Sequence, residues 1–334
     1  MTDPLGLPTA ALPEPAGAQA GPGPSGAAAA ARRGASLAAE LLGGAPGAAQ
    51  LPLLMGVVNV TPDSFSDGGR FTSVAAAVAH SRALVDHGAQ ILDVGGYSTR
   101  PGAAPVAAAE EAERVVPVVA ALARELPGVP VSVDTFRAEV AAAAVAAGAV
   151  MVNDVTGGAD PRMHATVAAL RLPTGAAPIY LCQHMRGTPQ TMDSQATYTD
   201  VVADVRGELA AAVERYLAAG GQADRLVLDP GIGFAKDAAQ SWTLLAHTPT
   251  LLELGYPLLI GTSRKRLLAA ALGEADQGPT GRDVATATTT ALAALAGAWA
   301  VRVHNVAYSR DARAVAAAWV AAGGSVVQPH PPGG

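Results

Sequence analysis

A repeating pattern of short apolar runs constrains the fold of this chain more than any other feature. Eight such runs occur between residues 55 and 305, and each is followed by a segment with the apolar spacing of a helix. Eight strand–helix units over about 270 residues match a single-domain α/β barrel, the TIM (β/α)8 fold. A doubly wound open sheet is the alternative, but no G-x-G-x-x-G motif follows the first run. We therefore predict the barrel.

Composition argues against several classes of function. Charged residues make up 15% of the 334 residues and the formal net charge is −6, so no basic surface indicates binding to nucleic acid or an anionic membrane. No apolar run approaches the roughly 18 residues that a membrane-spanning helix needs. The single cysteine, Cys182, excludes a disulfide within the chain and fits a reducing compartment. The first residues lack a secretory signal, so we expect a cytoplasmic protein.

The two ends of the chain differ from its centre. Residues 1–50 are rich in Ala, Pro and Gly, and almost no large apolar residue precedes Leu37. Such a segment cannot bury enough surface to offset its ordering entropy, so we expect a disordered extension with a short helix at residues 36–42. Residues 327–334 are rich in Pro and Gly and are predicted to form a loose tail. The barrel domain is expected to span residues 51–326.

Polar side chains stand at the carboxyl ends of the apolar runs. A buried strand does not need them for packing, and in a parallel barrel the carboxyl ends meet on one face, where catalytic groups lie. One polar residue at the end of a strand is readily explained by contact with solvent, whereas polar residues at the ends of many strands indicate a pocket. These residues are Asn59, Asp93, Asp134, Asn153, His184, Asp229, Ser263 with Lys265, and Arg302 with His304.

The acceptors Asp134, Asn153 and Asp229 indicate what the pocket binds. A buried carboxylate needs a partner, and the edge of an amino-bearing nitrogen heterocycle offers adjacent N–H donors that can form a paired hydrogen bond with it. Metal ligation by Asp134 and Asp229 is the alternative, but the usual supporting His spacing is lacking. The heterocycle is the favoured interpretation.

A second group of residues suits an anion. Arg100, Arg302, His304 and the amide of Asn59 offer donors for phosphate oxygens, and strands one and eight are neighbours in a closed barrel. Asn59 also offers an oxygen to a hydrated Mg²⁺ ion. The helix that is predicted to begin at Ser263 would hold a carboxylate at its N-terminus.

The chain resembles the dihydropteroate synthase family in a series of specific motifs, which cover about residues 51–322 in the family's order. The motifs are MGVVNVTPDSFSDGGRF, ILDVGGYSTRPGA, VSVDT, MVNDVTGG, HMRGTP, LVLDPGIGFAK, GTSRKRLL and VRVHNV. The resemblance implies a TIM-barrel homodimer and a transferase that condenses (7,8-dihydropterin-6-yl)methyl diphosphate with p-aminobenzoate, using Mg²⁺. The family is the target of sulfonamides, which mimic p-aminobenzoate.

The resemblance also implies roles for individual residues. The pterin is expected at Asp134, Asn153, Asp229 and Lys265, the diphosphate at Asn59, Arg100, Arg302 and His304, and p-aminobenzoate at Thr99, Pro101, Phe234 and Ser263. Asn59 is the expected Mg²⁺ ligand, and the implied catalytic set is Lys265, Asn59, Arg302 and His304. The loops at residues 61–70 and 97–102 are expected to close over the site. Mg²⁺ and the cations would stabilise the charge that develops on the leaving diphosphate.

Three positions depart from the family pattern. Tyr97 stands where an acidic or amide residue is usual, Gln183 where Met is common on the pterin wall, and Asn305 where Asp follows the strand-eight His. None of the three is a residue to which the resemblance assigns a role. They concern the detail of the pocket and sulfonamide sensitivity more than the reaction.

Two alternative functions belong to related pterin-binding proteins. One is a methyltransferase module that transfers a methyl group from a methylated folate to a corrinoid. It would not need the Ser-Arg-Lys and Arg-x-His segments that this chain has. The other is a non-catalytic paralogue, which is expected to lose the Ser/Thr-Arg-Pro-Gly loop or the Ser-Arg-Lys turn, both of which are present.

Overall fold

The computed structural model describes residues 26–42, 51–60, 69–97, 106–188 and 190–324. Within these ranges strands and helices alternate, as the apolar runs predict. The strands are β1 (Leu53–Asn59), β2 (Ile91–Gly95), β3 (Val131–Asp134), β4 (Met151–Asp154), β5 (Ile179–Gln183), β6 (Leu226–Asp229), β7 (Leu259–Ile260) and β8 (Ala300–Val303). The α-helices are α1 (Gly26–Leu42), α2 (Gly69–Asp86), α3 (Ala108–Glu125), α4 (Ala138–Ala146), α5 (Met163–Ala169), α6 (Val201–Ala218), α7 (Ala238–Ala246), α8 (Thr248–Leu252), α9 (Arg266–Leu272), α10 (Asp283–Leu295) and α11 (Val306–Ala321).

The eight strands form a parallel barrel. Their order is β6-β5-β4-β3-β2-β1-β8-β7, and every pair in this series is parallel. Leu228 of β6 bridges to Leu258 beside β7, and its N–H donates a hydrogen bond of 2.9 Å to the Pro257 carbonyl, which closes the ring. The predicted TIM barrel is confirmed. The doubly wound alternative is wrong, because such a sheet stays open and reverses its strand order at a switch point.

The strands are apolar on both faces because each lies between the barrel interior and the surrounding helices. Side chains at alternate positions of a strand point to opposite faces. The outward-facing cluster under the helices includes Leu54, Val58, Leu92, Val152 and Leu228. The interior cluster includes Leu53, Met55, Ile91, Met151, Ile179, Leu181, Val227, Leu259 and Ala300. These interior residues lie towards the amino ends of the strands, so the inward positions near the carboxyl ends are available to polar side chains.

Helix α1 covers the amino-terminal end of the barrel and corrects one prediction. Leu37 is buried in the interior cluster, and Trp299 Nε1 donates a hydrogen bond of 3.0 Å to the Gly34 carbonyl. The Arg33 guanidinium lies 4.7 Å from the centre of the Tyr256 ring. Predicted disorder is therefore wrong for residues 26–35, because the barrel supplies apolar surface that the segment lacks by itself. The helix expected at residues 36–42 is confirmed as the second half of α1.

Residues 1–25, 43–50 and 325–334 lie outside the described residues, so the structure does not test the predicted extension and tail there. The bounds predicted for the barrel domain, residues 51–326, stay a prediction; β1 begins at Leu53 and α11 ends at Ala321. A search of the described helices finds none that is both long enough and apolar enough to cross a membrane.

Candidate active site

The two-residue period of the strands selects the side chains that enter the pocket at the carboxyl end of the barrel. An interior core residue is followed two positions later by another inward-facing residue. This spacing places a polar side chain in the barrel after Ile91, Met151, Leu181, Val227 and Ala300. The polar residues are Asp93, Asn153, Gln183, Asp229 and Arg302.

The cavity at this end has a volume of about 380 Å³, including the solvent at its mouth. Eight residues to which the sequence analysis assigned a role line it: Asp134, Asn153, Asp229, Phe234, Ser263, Lys265, Arg302 and His304. Val155, Gln183 and Gly261 are also among its lining residues. The structure therefore brings these eight residues into one pocket, while the part that each takes in binding or catalysis stays a prediction.

A guanidinium between two carboxylates forms the inner wall of the pocket. Arg302 Nε donates to Asp93 Oδ2 and Arg302 Nη2 donates to Asp134 Oδ2, both at 2.6 Å. Asn153 Nδ2 donates to the same Asp93 oxygen at 3.0 Å. The sequence predicts Asp93 as a strand-end residue but indicates no role for it, although this fully buried carboxylate orients both Arg302 and Asn153. Its partners lie on β4 and β8, which no local pattern of the sequence relates to β2.

Two buried acceptors of this wall have no hydrogen-bond partner among the described residues. They are Asn153 Oδ1 and Asp93 Oδ1. Because buried polar atoms are usually paired, the Asn153 oxygen in the pocket is suited to a ligand that carries N–H groups. Burial also raises the pKa of Asp134 to about 7, against the lowering effect of Arg302, and it raises the pKa of Asp229. A donor-rich ligand edge would favour the ionised carboxylates.

Lys265 and Phe234 form another part of the pocket lining. The Lys265 ammonium lies 4.4 Å from the centre of the Phe234 ring and donates a hydrogen bond to the Ile232 carbonyl. Burial lowers the pKa of Lys265 to about 8, and the nearby Asp229 carboxylate opposes this change. An aromatic face beside an ammonium group can contact a flat, anionic ligand through its ring and its charge.

Ser263 and His304 meet at the rim, and the local backbone differs from the predicted helix start. Ser263 Oγ lies 2.9 Å from His304 Nδ1 and accepts a hydrogen bond of 3.1 Å from the His304 N–H. Helix α9 begins at Arg266 and has no side-chain N-cap. The expectation that a helix begins at Ser263 is wrong, because Arg264 has a left-handed backbone with φ of 62°.

An ion pair holds this turn. Arg264 Nε and Nη2 donate to the two oxygens of Asp283 at 2.7 and 2.9 Å. Asn305 Nδ2 donates to Asp283 at 3.3 Å, and Asn305 Oδ1 accepts from the Tyr308 N–H at 3.3 Å as the N-cap of α11. Asn305, one of the three departures from the family pattern, thus caps α11 and donates a hydrogen bond to Asp283, the ion-pair partner of Arg264.

The other two departures have different surroundings. Gln183 lines the pocket, and its Nε2 donates to the Val155 carbonyl at 3.2 Å. The Tyr97 ring packs edge-on against Phe136 at 5.2 Å between ring centres, and its hydroxyl accepts a hydrogen bond of 3.3 Å from Gln190. Gln183 therefore places a polar side chain in the pocket wall. The described contacts of Tyr97 include Phe136 and Gln190, and Tyr97 is not among the lining residues of the cavity.

His184 is not among the lining residues of the cavity, which corrects its place among the predicted pocket residues. Leu181 and Gln183 occupy the interior positions of β5, so the next residue turns away from the pocket. His184 Nε2 lies 2.9 Å from a Glu208 oxygen, and Nδ1 lies 2.8 Å from Lys236 Nζ. No role for Lys236 is predicted from the sequence, where its only signal is membership of the LVLDPGIGFAK motif.

Four predicted site residues lie elsewhere or beyond the described residues. Asn59 ends β1 and is half-buried, but the described lining of the cavity does not include it. Thr99, Arg100 and Pro101 lie outside the described residues, as does most of the loop at residues 61–70. The predicted contacts of these residues with p-aminobenzoate, diphosphate and Mg²⁺ are therefore untested.

Comparisons with known proteins agree with this geometry. The family model for pterin binding enzymes matches residues 55–304. The dihydropteroate synthase of Mycobacterium leprae (strain TN) is 48% identical over 275 residues, which cover 81% of this chain and 94% of that protein. The Xanthomonas albilineans dihydropteroate synthase solved with 4-aminobenzoic acid has a TM-score of 0.74 at 44% identity and covers 82% of this chain and 94% of its own. This chain belongs to the dihydropteroate synthase family.

A second solved structure extends the agreement. The Yersinia pestis dihydropteroate synthase in a sulfonamide drug complex has a TM-score of 0.75 at 37% identity and covers 83% of this chain and 98% of its own. The resemblance read from the motifs is therefore confirmed. These relatives are dihydropteroate synthases, so they lend no support to the alternative of a corrinoid methyltransferase module.

The dihydropteroate synthase family implies a Mg²⁺ ion, and the described residues fit one that arrives with a substrate. No group of three His, Cys, Asp or Glu residues in the described ranges could hold a metal ion. Mg²⁺ keeps several waters and is usually bound through one or two protein oxygens together with substrate phosphates. The amide oxygen of Asn59 at the end of β1 suits such a single contact.

Proposed function

We propose that this chain is a dihydropteroate synthase, which condenses (7,8-dihydropterin-6-yl)methyl diphosphate with 4-aminobenzoate to give 7,8-dihydropteroate and diphosphate. The observation that carries the proposal is the pocket itself, which brings acceptors for a heterocycle together with an aromatic ring and an ammonium group. The X. albilineans relatives, solved with 4-aminobenzoic acid and with 7,8-dihydropteroate, support the same ligands. The reaction is a step of tetrahydrofolate biosynthesis.

The pterin would lie against Asp134, Asn153 and Asp229, with Lys265 at its edge. Carboxylate and amide oxygens accept from the ring N–H and amino groups, and paired hydrogen bonds of this kind set the orientation of the ring. Ionised Asp134 and Asp229 are the forms that accept. The heterocycle interpretation therefore accounts for the buried carboxylates better than a metal site does.

The 4-aminobenzoate would lie on the Phe234 side. The Phe234 ring offers an apolar face, while Ser263 and the Lys265 ammonium offer donors for the carboxylate of the ligand. Thr99 and Pro101 are proposed to complete this side by family resemblance. The Yersinia pestis relative in a sulfonamide drug complex supports the proposal that sulfonamides compete for this side of the pocket in this chain as well.

In the reaction the C–O bond to the diphosphate breaks, the amine nitrogen bonds to the same carbon, and the amine gives up one proton. An aromatic amine is neutral at pH 7, so no strong base is needed. His304 and Arg302 lie in the pocket, where they can donate to the departing oxygens, and Arg100 and Asn59 are proposed to join them. A Mg²⁺ ion held partly by Asn59 would supply further charge stabilisation for the diphosphate.

We further propose that two copies of the chain form a homodimer. Helices α10 and α11 expose several large apolar side chains, which is unusual for surface that meets only water. They are Val284, Leu292, Val315 and Trp319. Light scattering during size-exclusion chromatography tests the proposal. A mass close to that of one chain, at concentrations where the enzyme is active, contradicts it.

We propose small molecules as the only substrates, with no part for nucleic acid or membrane, and a cytoplasmic location. The low share of charged residues and the net charge of −6 support the first point. The single thiol, Cys182, is free and buried, which agrees with a reducing compartment.

Diphosphate release by the purified chain tests the proposed reaction. We expect release from the dihydropterin diphosphate that requires both 4-aminobenzoate and Mg²⁺ and that stops when EDTA is added. The product should be 7,8-dihydropteroate. Tight pterin binding without release would contradict the synthase and favour the non-catalytic paralogue.

A further inference from the structure

A buried lysine behind the pocket has no part in the proposed reaction. Lys236 precedes α7 and is 3% exposed, but it does not line the cavity. Three acceptors surround its Nζ atom: His184 Nδ1 at 2.8 Å, the Phe234 carbonyl at 2.9 Å and the Gly231 carbonyl at 3.2 Å. They match the three N–H donors of an ammonium group, whereas a neutral amine would leave one acceptor unpaired. Burial lowers the pKa of Lys236 to about 7, and the Asp229 carboxylate opposes this change.

The partner of Lys236 is itself held in one orientation. The ionised Glu208 carboxylate of α6 can only accept, so the His184 proton lies on Nε2, which donates to Glu208 at 2.9 Å, and Nδ1 accepts from Lys236 at 2.8 Å. Burial lowers the pKa of His184, which favours the neutral ring that these two hydrogen bonds require. The hydrogen bond from His184 lowers the pKa of Glu208 to about 2, and Arg186 Nε also donates to Glu208 at 2.9 Å. These contacts form a continuous chain from α6 to the loop after β6.

That loop has a backbone that needs such support. Gly231, Gly233 and Ala235 all have left-handed φ angles, of 67°, 76° and 49°. A residue with a Cβ atom is disfavoured in this conformation, so Ala235 opposes the observed loop unless other contacts compensate. The loop presents Phe234 to the pocket, where Lys265 bonds the Ile232 carbonyl from the pocket side. Lys236 bonds the Gly231 and Phe234 carbonyls of the same loop from the side that faces away from the pocket.

We propose that Lys236 is a positioning residue, whose ammonium group, oriented by His184 and Glu208, holds the loop at residues 230–235 so that Phe234 forms the 4-aminobenzoate side of the pocket. It acts through Phe234 and touches neither substrate. Two of the pterin acceptors, Asp134 and Asn153, lie on strands that Lys236 does not bond, whereas Asp229 Oδ1 accepts a hydrogen bond of 2.7 Å from the Gly231 N–H of the loop. The inference rests on the proposed function for the identity of the ligand at Phe234.

The variant Lys236→Met tests this proposal, because Met has a similar length and no donors. We expect the KM for 4-aminobenzoate to rise about tenfold, as for the loss of one charged hydrogen bond, and the KM for the dihydropterin diphosphate to change less than about twofold. Amide hydrogen exchange at residues 231–236 should become about tenfold faster, measured without substrates. Asp200→Ala is the control: it removes the N-cap of α6 and should lower stability with neither effect.

Two further variants keep the test decisive if Lys236→Met folds poorly. Lys236→Ala should regain most of its affinity for 4-aminobenzoate when propylamine is added, because the small amine restores the ammonium group. Glu208→Ala removes the partner of His184 at a partly exposed site and should raise the same KM about threefold, as for a weak hydrogen bond.

Equal rises in both KM values, or loop exchange that stays at the wild-type rate, would overturn the proposal. If wild-type protein releases no diphosphate, the proposed function fails. Loop exchange then still decides separately whether Lys236 holds the loop: faster exchange supports that link and unchanged exchange overturns it.

Discussion

Replacement of Arg302 by Met removes the only cation that the described contacts give to two carboxylates in the barrel. Asp93 is fully buried, Asp134 is 15% exposed, and the Arg302 side chain is 23% exposed. Each carboxylate loses one hydrogen bond of 2.6 Å from the guanidinium. The variant therefore retains two acids without the guanidinium that pairs with both, while the apolar stem of the replaced residue is largely kept.

The expected loss of stability follows from these contacts. Removing one partner of a buried ion pair typically costs about 3–5 kcal/mol. Arg302 is partly reached by solvent through the pocket, so we expect about 3–4 kcal/mol at pH 8. Most single-domain proteins have about 5–15 kcal/mol of total stability, so the variant should still fold.

The loss should depend on pH in a defined direction. Burial already raises the pKa of Asp134 from 3.8 to about 7, and removal of the Arg302 charge raises it further. A carboxyl whose pKa is higher in the folded state contributes stability below its unfolded pKa, and this contribution is lost as the pH rises through the folded pKa. The deficit of Arg302→Met should therefore shrink to about 1–2 kcal/mol at pH 5, where Asp134 keeps its proton.

Urea unfolding followed by tryptophan fluorescence at pH 5 and pH 8 measures the effect. Arg302→Lys keeps the charge and should show a smaller deficit with little dependence on pH. The double variant Arg302→Met with Asp134→Asn should regain stability at pH 8. A deficit below about 1 kcal/mol at pH 8, or one that is equal at both pH values, would refute the reasoning about a buried charge cluster.

Three further predictions concern other parts of the molecule. Leu37→Ala should lower the free energy of unfolding in urea by about 2–3 kcal/mol, since α1 can shift to fill part of the space left by the lost side chain. Leu42→Ala, at the exposed end of α1, should lower it little. A pterin alcohol without diphosphate should bind up to about tenfold more weakly for each pH unit below 7 in calorimetry, because Asp134 becomes protonated, and Asp134→Asn should reduce this dependence to the part that Asp229 contributes. Asp283→Asn should lower stability by about 1–2 kcal/mol in thermal unfolding, since Arg264 loses a charged partner at a left-handed backbone position; an unchanged melting temperature would contradict this.

The fold class could be predicted because its signal is local. A strand buried on both faces must be apolar at consecutive positions, and a helix must show its own period, so eight alternating units are visible in the chain itself. The convergence of Asn153, Asp229 and Arg302 also followed, because the carboxyl ends of parallel strands meet at one end of a barrel.

The first half of helix α1 could not be predicted from its own residues. Its segment is poor in large apolar side chains, so local composition indicated disorder up to about residue 35. The interior cluster around Leu37 is formed by residues that range from Leu53 to Ala300, and the hydrogen bond to Gly34 comes from Trp299, 265 residues later in the chain. The stability of this helix is therefore a tertiary property.

The sequence by itself determined the barrel and the end of it that carries the chemistry, because apolar period and strand direction are local properties. Only the tertiary structure decided that Gln183 enters the pocket and His184 does not, since strand pleat separates neighbours by face. It also decided that Asp93 pairs with Arg302 and that Lys236 supports the loop of Phe234. Hydrogen bonds and ion pairs depend on distances of about 3 Å between atoms, and such distances across a barrel arise only when the chain has closed on itself.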